Sequence, residues 1–349
     1  MGEPNHLLRR AREAQGWAQE EVAEKIGTTS VSISRWENRL VEPGKHYRRK
    51  LCDLFEKSEE ELGLTTRPTG EQLARPVFLF NWNHLPASTE LHGRERARKT
   101  LLARTMHKAS TSITGPRRIG KTWLLQYLLA VAPKQLGTGF RLGYLDAMAP
   151  ECETVEGFAA AALERLKLPI PLHHEGLISL KQGFGQLVAQ KQTPVLFIDE
   201  FDCIGRNPRF TREFYEGLRS MCSSPDLGLV LVLASQEPLH LLTRPHADGS
   251  PFFNIFERVA LKPFTYSETE QFIAEKGQAA RFTSQERAYL WEYGKIKKEE
   301  QAWWPLRLQL AGKILEEEDP RLRKLPEYRA VFEESFLMCY EATIPERRE

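Results

Sequence analysis

The sequence predicts a multidomain fold: an all-α helix-turn-helix domain, then an α/β domain built on a parallel sheet, then an all-α lid. Three observations carry that expectation. Residues 1–64 read as consecutive short helices without a strand signal. From about residue 90, apolar and β-branched runs at 111–114, 140–146, 194–199, 227–234 and 258–261 alternate with helical stretches, the pattern of βαβ crossovers. Beyond them the pattern is helical to the end, opening on Ser267-Glu268-Thr269-Glu270, a capping-box signature. The expected boundaries are 1–64 for the first domain, 65–89 for a linker marked by Pro68, Gly70, Pro76 and Pro86, 90–265 for the α/β core, and 266–349 for the lid and C-terminal helices.

Composition narrows the classes. At 349 residues the chain is long enough for about two folded units. Its 41% hydrophobic and 28% charged residues fit neither a disordered nor a fibrous chain. The longest apolar runs are strand-length, against the roughly 20 residues a membrane span needs, so no membrane partner is expected. The first residues lack the apolar stretch of a secretory signal, and Cys52, Cys152, Cys203, Cys222 and Cys339 form no CxxC pair. The expectation is a cytoplasmic protein with reduced thiols and no zinc site. Net charge is only +2, but Arg35, Arg39, Lys45, Arg48, Arg49 and Lys50 stand against Glu37 and Glu42, a local excess that suits a phosphate backbone. A solvated helix face would give the same run.

In the first domain, Leu7, Leu8, Ala11 and Ala14 mark one amphipathic helix and Val22, Ala23 and Ile26 a second. Gly27 ends the second helix, and Thr29 caps a third, 30–38, that buries Ile33 and Trp36. Pro43 opens a fourth helix leading to Leu51, Leu54 and Phe55. Two helices joined by a glycine turn form the unit that places its second helix in the DNA major groove. The segment AQEEVAEKIGTTSVSISRWENRLVEP resembles the lambda-repressor-like, or XRE-type, helix-turn-helix family, and the resemblance covers residues 6–62. It implies double-stranded DNA as partner, with Gln19 touching phosphate and a neighbouring base, and Thr29, Ser30, Val31 and Arg35 facing the groove. Arg35 is the best base reader, because a guanidinium bonds guanine O6 and N7 together. Arg39 stands where the family has glycine, so either it adds a phosphate contact or Asn38 takes the left-handed turn. A protein-docking adaptor is the alternative, since residues 1–64 hold 11 basic against 12 acidic residues.

The strongest signal is Gly115-Pro116-Arg117-Arg118-Ile119-Gly120-Lys121-Thr122, a complete GxxxxGK[ST] P-loop directly after a strand-like run and directly before a helical one. Loop amides and the helix N-terminus would face phosphate oxygens, Gly120 would allow close approach, Lys121 would place charge at the β- and γ-phosphates of ATP, and Thr122 would offer a hydroxyl to Mg2+. The strand 194–199 then delivers Asp199 and Glu200 together. Asp199 is expected to hold the magnesium, directly or through water, and Glu200 to polarise the attacking water.

Together, Leu91-His92-Gly93-Arg94-Glu95, GPRRIGKT, LFIDEFD and SPFFNIFERVALKPF resemble the STAND and archaeal-type P-loop ATPases of the AAA+ superfamily over residues 90–315. The resemblance implies Gly93 and Arg94 beside the adenine, Pro305 closing the lid over the base, and Ser235 or Gln236 as the polar residue that reads the γ-phosphate. The lid motif's glycine is replaced by Trp303, and Trp303 and Trp304 equally suit a hydrophobic seam between lid and core. An arginine finger from a neighbouring subunit is implied as well; Arg258 fits best, with Arg206, Arg209, Arg212 and Arg219 as rivals. The implied activity is a slow, regulated ATPase acting as a nucleotide-controlled switch, a homo-oligomer with an effector or sensor protein as further partner, in regulation or defence. Two other readings stand beside it: an initiator- or transposition-type ATPase that loads proteins on DNA, and a transcription factor whose nucleotide site only senses.

Overall fold

The computed structural model describes residues 5–38, 43–64, 79–81, 85, 87, 91–171, 175–243, 251–296 and 301–343. The chain divides into two compact units, 1–77 with 319–321, and 78–318 with 322–349.

In the first unit, α1 (His6–Ala14), α2 (Gln19–Ile26), α3 (Ser30–Glu37) and α4 (Lys45–Phe55) close around Leu8, Val22, Ile26, Ile33, Trp36 and Leu51. The punctuation read from the sequence holds. Gly27 ends α2 with φ +71°, and the Thr29 hydroxyl starts α3 by accepting the Ser32 amide at 3.2 Å. Asn38 departs from the left-handed alternative: its φ is −89°, and its side-chain amide donates to the Ser34 carbonyl at 2.9 Å, closing the last turn without a positive φ. Arg39 lies outside the described residues. Glu37 is buried and accepts three hydrogen bonds, from Arg12 Nε at 2.6 Å and Nη2 at 3.1 Å and from Gln19 Nε2 at 2.8 Å, so one carboxylate ties α1, α2 and α3 together.

The second unit begins with α5 (Glu95–Met106) and β1 (Thr111–Thr114), then α6 (Lys121–Leu136), β2 (Phe140–Asp146), α7 (Val155–Arg165), α8 (Leu177–Ala189) and β3 (Thr193–Asp199). It continues with α9 (Asp202–Arg206), α10 (Arg212–Ser223), β4 (Val230–Ser235), α11 (Leu239–Leu242) and β5 (Glu257–Ala260). Among the described residues the strands form a wholly parallel sheet of order β2-β3-β4-β1-β5. Alternate residues serve opposite faces: Val195, Phe197, Val230 and Val232 join the cluster with α5 and α6, while Leu196, Ile198, Leu231 and Leu233 join that with α7, α8 and α10. The run at 227–234 starts pairing only at Val230, because Gly228 takes φ +56° in the turn that enters the strand.

Four further helices follow: α12 (Tyr266–Ala279), α13 (Ser284–Gly294), α14 (Pro305–Glu317) and α15 (Tyr328–Thr343). The capping box is two residues earlier than the sequence suggested. Phe264 is held extended by an antiparallel bridge to Trp303, so Thr265 is the first residue able to turn; its hydroxyl accepts the Glu268 amide at 3.3 Å, and Glu268 accepts the Thr265 amide at 3.0 Å. The lid core gathers Phe272, Leu290, Tyr293, Leu308, Phe332 and Phe336, and Trp304 packs against both this cluster and the one beneath α6. Most of the expected linker, 65–89, lies outside the described residues. Phe80, placed in it by sequence, is fully buried in the lid core.

Candidate nucleotide site and DNA-facing helix

The strand order puts β4 between β1 and β3, so the carboxyl ends of three neighbouring strands open on one crevice, where parallel sheets bind ligands. The phosphate loop leaves β1 there. Gly120 takes φ +101° as it caps α6, a conformation glycine reaches without steric cost. Gly115, Pro116, Arg117, Arg118 and Ile119 complete the loop; Arg118 also lies in the left-handed region (φ +64°), and Ile119 is buried under it. Lys121 is only 4% exposed, and its ammonium donates to the Gly115 carbonyl at 2.9 Å and the Pro116 carbonyl at 3.2 Å. Burial pushes its pKa down, with Glu200 and Asp199 pulling the other way. Thr122 follows in the first turn of α6, half-buried.

Across β4, Asp199 ends β3 nearly buried and uses both oxygens. One accepts the Glu200 amide at 3.0 Å and the other the Tyr144 hydroxyl, from β2, at 3.2 Å. Burial first, and then the Asp199 charge, push the Tyr144 phenol well above its ordinary range, so it remains a donor. Glu200 sits at φ +48°, unusual for a residue with a side chain and a frequent mark of functional positions. Burial raises its carboxyl above the usual range, partly offset by Lys121. These are hard oxygen donors suited to Mg2+: the Thr122 hydroxyl and Asp199 carboxylate are the residues that would hold it.

The two γ-phosphate candidates separate. Ser235 is completely buried and its hydroxyl donates to the Glu237 carbonyl at 2.7 Å, which leaves Gln236, half-buried at the strand end, as the better placed side chain. Asp202, which the sequence reading passed over, fixes this end by accepting the Gln236 amide at 2.7 Å and the Glu237 amide at 3.3 Å. Its only sequence signal was its place three residues after Asp199.

Arg94, expected beside the adenine, is held by contacts to three segments. Its guanidinium donates to the carbonyls of Lys262 and, at 3.0 Å, Ile119; its amide donates to Glu268 at 2.9 Å, and it lies over the Phe264 ring. Burial brings its pKa down to about 10, against the pull of Glu268. Arg94 therefore brackets phosphate loop, β5 exit and lid. Gly93, with φ +64°, packs against Glu268. Pro305 is the first residue of α14, beside the Trp304 seam. Arg258 is exposed on edge strand β5, with Nε donating to Thr114 of its own β1 at 2.8 Å. Among its rivals, Arg206 pairs with Glu237, Arg209 with Glu153 and Arg212 with Glu216, and Arg219 is half-buried on α10.

On the first unit, Val31 is 48% exposed and Ser30 and Arg35 are half-buried on α3, while Ile33, Trp36 and Glu37 turn inward. Thr29 spends its hydroxyl on the cap, and Gln19 its amide on Glu37. Arg48 pairs with Glu59 and donates to the Pro43 carbonyl; Lys50 donates to the Ile26 carbonyl at 2.7 Å, capping α2 instead of facing outward, whereas Arg49 is exposed.

Residues 8–62 match the family described as helix-turn-helix, and residues 91–242 match the family described as AAA domain. The Walker-type ATPase PABY2304 of Pyrococcus abyssi shares the fold with TM-score 0.58 and 17% identity, over 76% of this chain and 77% of that one. The ORC2 protein of Aeropyrum pernix aligns at TM-score 0.48 and 17% identity over 58% of this chain. The chain spans 56% of the length of that protein. No curated protein matches the chain. At these identities the likeness is one of fold.

Proposed function

From a chain that joins an N-terminal helix-turn-helix domain to an AAA domain, we propose an ATP-dependent switch that binds double-stranded DNA through α3 and hydrolyses ATP slowly at the crevice above β1, β3 and β4. The observation that carries the reading is the buried Lys121 at the mouth of a complete phosphate loop, with Asp199 and Glu200 at the end of β3, which only β4 separates from β1.

In this reading the loop amides and Lys121 take the phosphates, and Lys121 exchanges its bonds to two loop carbonyls for charge-assisted bonds to the β- and γ-phosphates. Tyr144 and the Glu200 amide hold the Asp199 carboxylate in one orientation. Bound Mg2+, carried by Thr122 and Asp199, would supply charge neutralisation on the triphosphate. Glu200 draws a proton from the attacking water, and Gln236 orients that water or the γ-phosphate. Arg258, given to a neighbouring copy, is the candidate finger and makes assembly part of the switch, in a regulatory role with a further effector or sensor protein.

The test combines ATP turnover, with and without duplex DNA, and mobility shifts at low salt with and without ATP. Slow basal turnover with nucleotide-dependent DNA affinity supports the switch. Turnover stimulated strongly by DNA would favour a loader that remodels proteins on DNA, and binding without turnover a pure sensor. No shift under any condition would remove DNA from the account and leave the first domain as a protein-docking module.

A further inference from the structure

The glycine that shapes the phosphate loop also loosens it. Gly120 takes φ +101°, and without a side chain it lets the Ile119-Gly120 peptide turn over at little steric cost; a Cβ added to it would meet nothing within 4 Å. In a trans peptide the carbonyl and the amide hydrogen point opposite ways. One orientation therefore turns the Gly120 N–H toward a phosphate, and the other presents the Ile119 carbonyl, which repels it. Arg94 holds that carbonyl. Its guanidinium, on a side chain only 8% exposed, donates from Nη2 to Ile119 at 3.0 Å and from Nη1 to the Lys262 carbonyl, with the Phe264 ring 4.7 Å beneath it. The segment behind the loop is firm as well. The Leu261 amide donates to the Thr114 carbonyl at 2.7 Å, and Gly115 packs so closely that a Cβ there would fall 2.9 Å from the Leu261 carbonyl. Glu268 fixes the backbone of Arg94 itself, accepting its amide at 2.9 Å where φ is +59°. Lys121 holds the Gly115 and Pro116 carbonyls at the other end of the loop.

We propose that Arg94 is a positioning residue for phosphate: by holding the Ile119 carbonyl it keeps the Gly120 N–H aimed at the oxygens of a bound polyphosphate. This rests on the ATP reading above, and adds which buried group sets the loop in its binding form before the nucleotide arrives. A loop already in that form loses no binding free energy to the turn of the peptide. A guanidinium suits the task because its rigid fork donates to two carbonyls at once, in charge-assisted bonds. Lysine at this position reaches one of the two carbonyls, and methionine fills similar space and reaches neither. The role concerns the phosphates, so ligand chemistry separates it from a contact to the base.

The experiment titrates the full chain, with Mg2+ present, against ATP and against inorganic tripolyphosphate, which carries the phosphates without the base. Arg94→Met should weaken both ligands by the same factor, at least about tenfold, while the ligand-free protein keeps its melting temperature. Arg94→Lys should recover part of the loss, leaving both ligands about threefold weaker than in the wild type, and it carries the comparison if Arg94→Met does not fold. A loss confined to ATP, with tripolyphosphate held within about twofold, would mark Arg94 as a base contact and overturn the positioning role. Unchanged affinity for both ligands overturns it too. A wild type that binds tripolyphosphate but not ATP, and loses it in Arg94→Met, keeps the positioning role and removes the ATP reading.

Discussion

Glu200 holds a left-handed backbone conformation that glycine would adopt more cheaply, and it does so next to an aspartate whose two oxygens are already engaged. Each residue here makes a distinct prediction. Lys121→Ala removes charge-assisted bonds to phosphate and should weaken ATP binding by about 10- to 100-fold, read by titration of a fluorescent analogue. Glu200→Gln should keep that affinity while slowing turnover by about 100-fold or more. An unchanged single-turnover rate would take the general base away from Glu200. Tyr144→Phe leaves phosphate contacts intact but frees one Asp199 oxygen. The Mg2+ concentration for half-maximal turnover should rise about tenfold, with Mg2+-free ATP binding unaltered; a drop in both would mean the tyrosine only packs. In the first unit, Glu37→Ala removes the acceptor shared by Arg12 and Gln19, leaving Arg12 only Trp17 and Glu13, and should cost about 1 to 3 kcal/mol of stability, visible as an earlier first transition in calorimetry of the full chain.

At the scale of elements, the basic stretch falls on α3 and α4, and its residues carry different expected outcomes. Arg35→Ala should cost about 1 to 3 kcal/mol at a preferred site and relax base preference there. Arg49→Ala should weaken all sequences alike and lower the salt slope by about one unit. Lys50→Ala should leave that slope unchanged and instead destabilise α2, whose Ile26 carbonyl it caps. Salt titrations of the three variants separate these outcomes. The helices themselves were legible from Gly27 and Thr29, because caps act within three or four residues. Whether Lys50 faces solvent or Ile26 was not, because it depends on how α4 crosses α2.

For the whole molecule, a finger given in trans predicts turnover per chain that rises with protein concentration, and partial rescue when Arg258→Ala is mixed with Glu200→Gln. The bond from Arg258 to Thr114 of its own chain offers a different outcome: a loss in Arg258→Ala that is the same at every concentration, which would mark it as a brace for the strand that carries the loop. By itself the sequence determined the parallel α/β core between two helical regions, the phosphate loop and the Asp199-Glu200 strand end. Their chemistry is set by a few contiguous residues and the backbone geometry they impose. Only the tertiary structure decided that Ser235 is spent on Glu237, that Arg94 brackets loop and lid, that Glu37 gathers three helices, and that Phe80 belongs to the lid. Most of these choices are made by partners far apart in the chain, as with Leu79 and Glu316, and buried polar groups and rings take whichever partner the packing brings within reach.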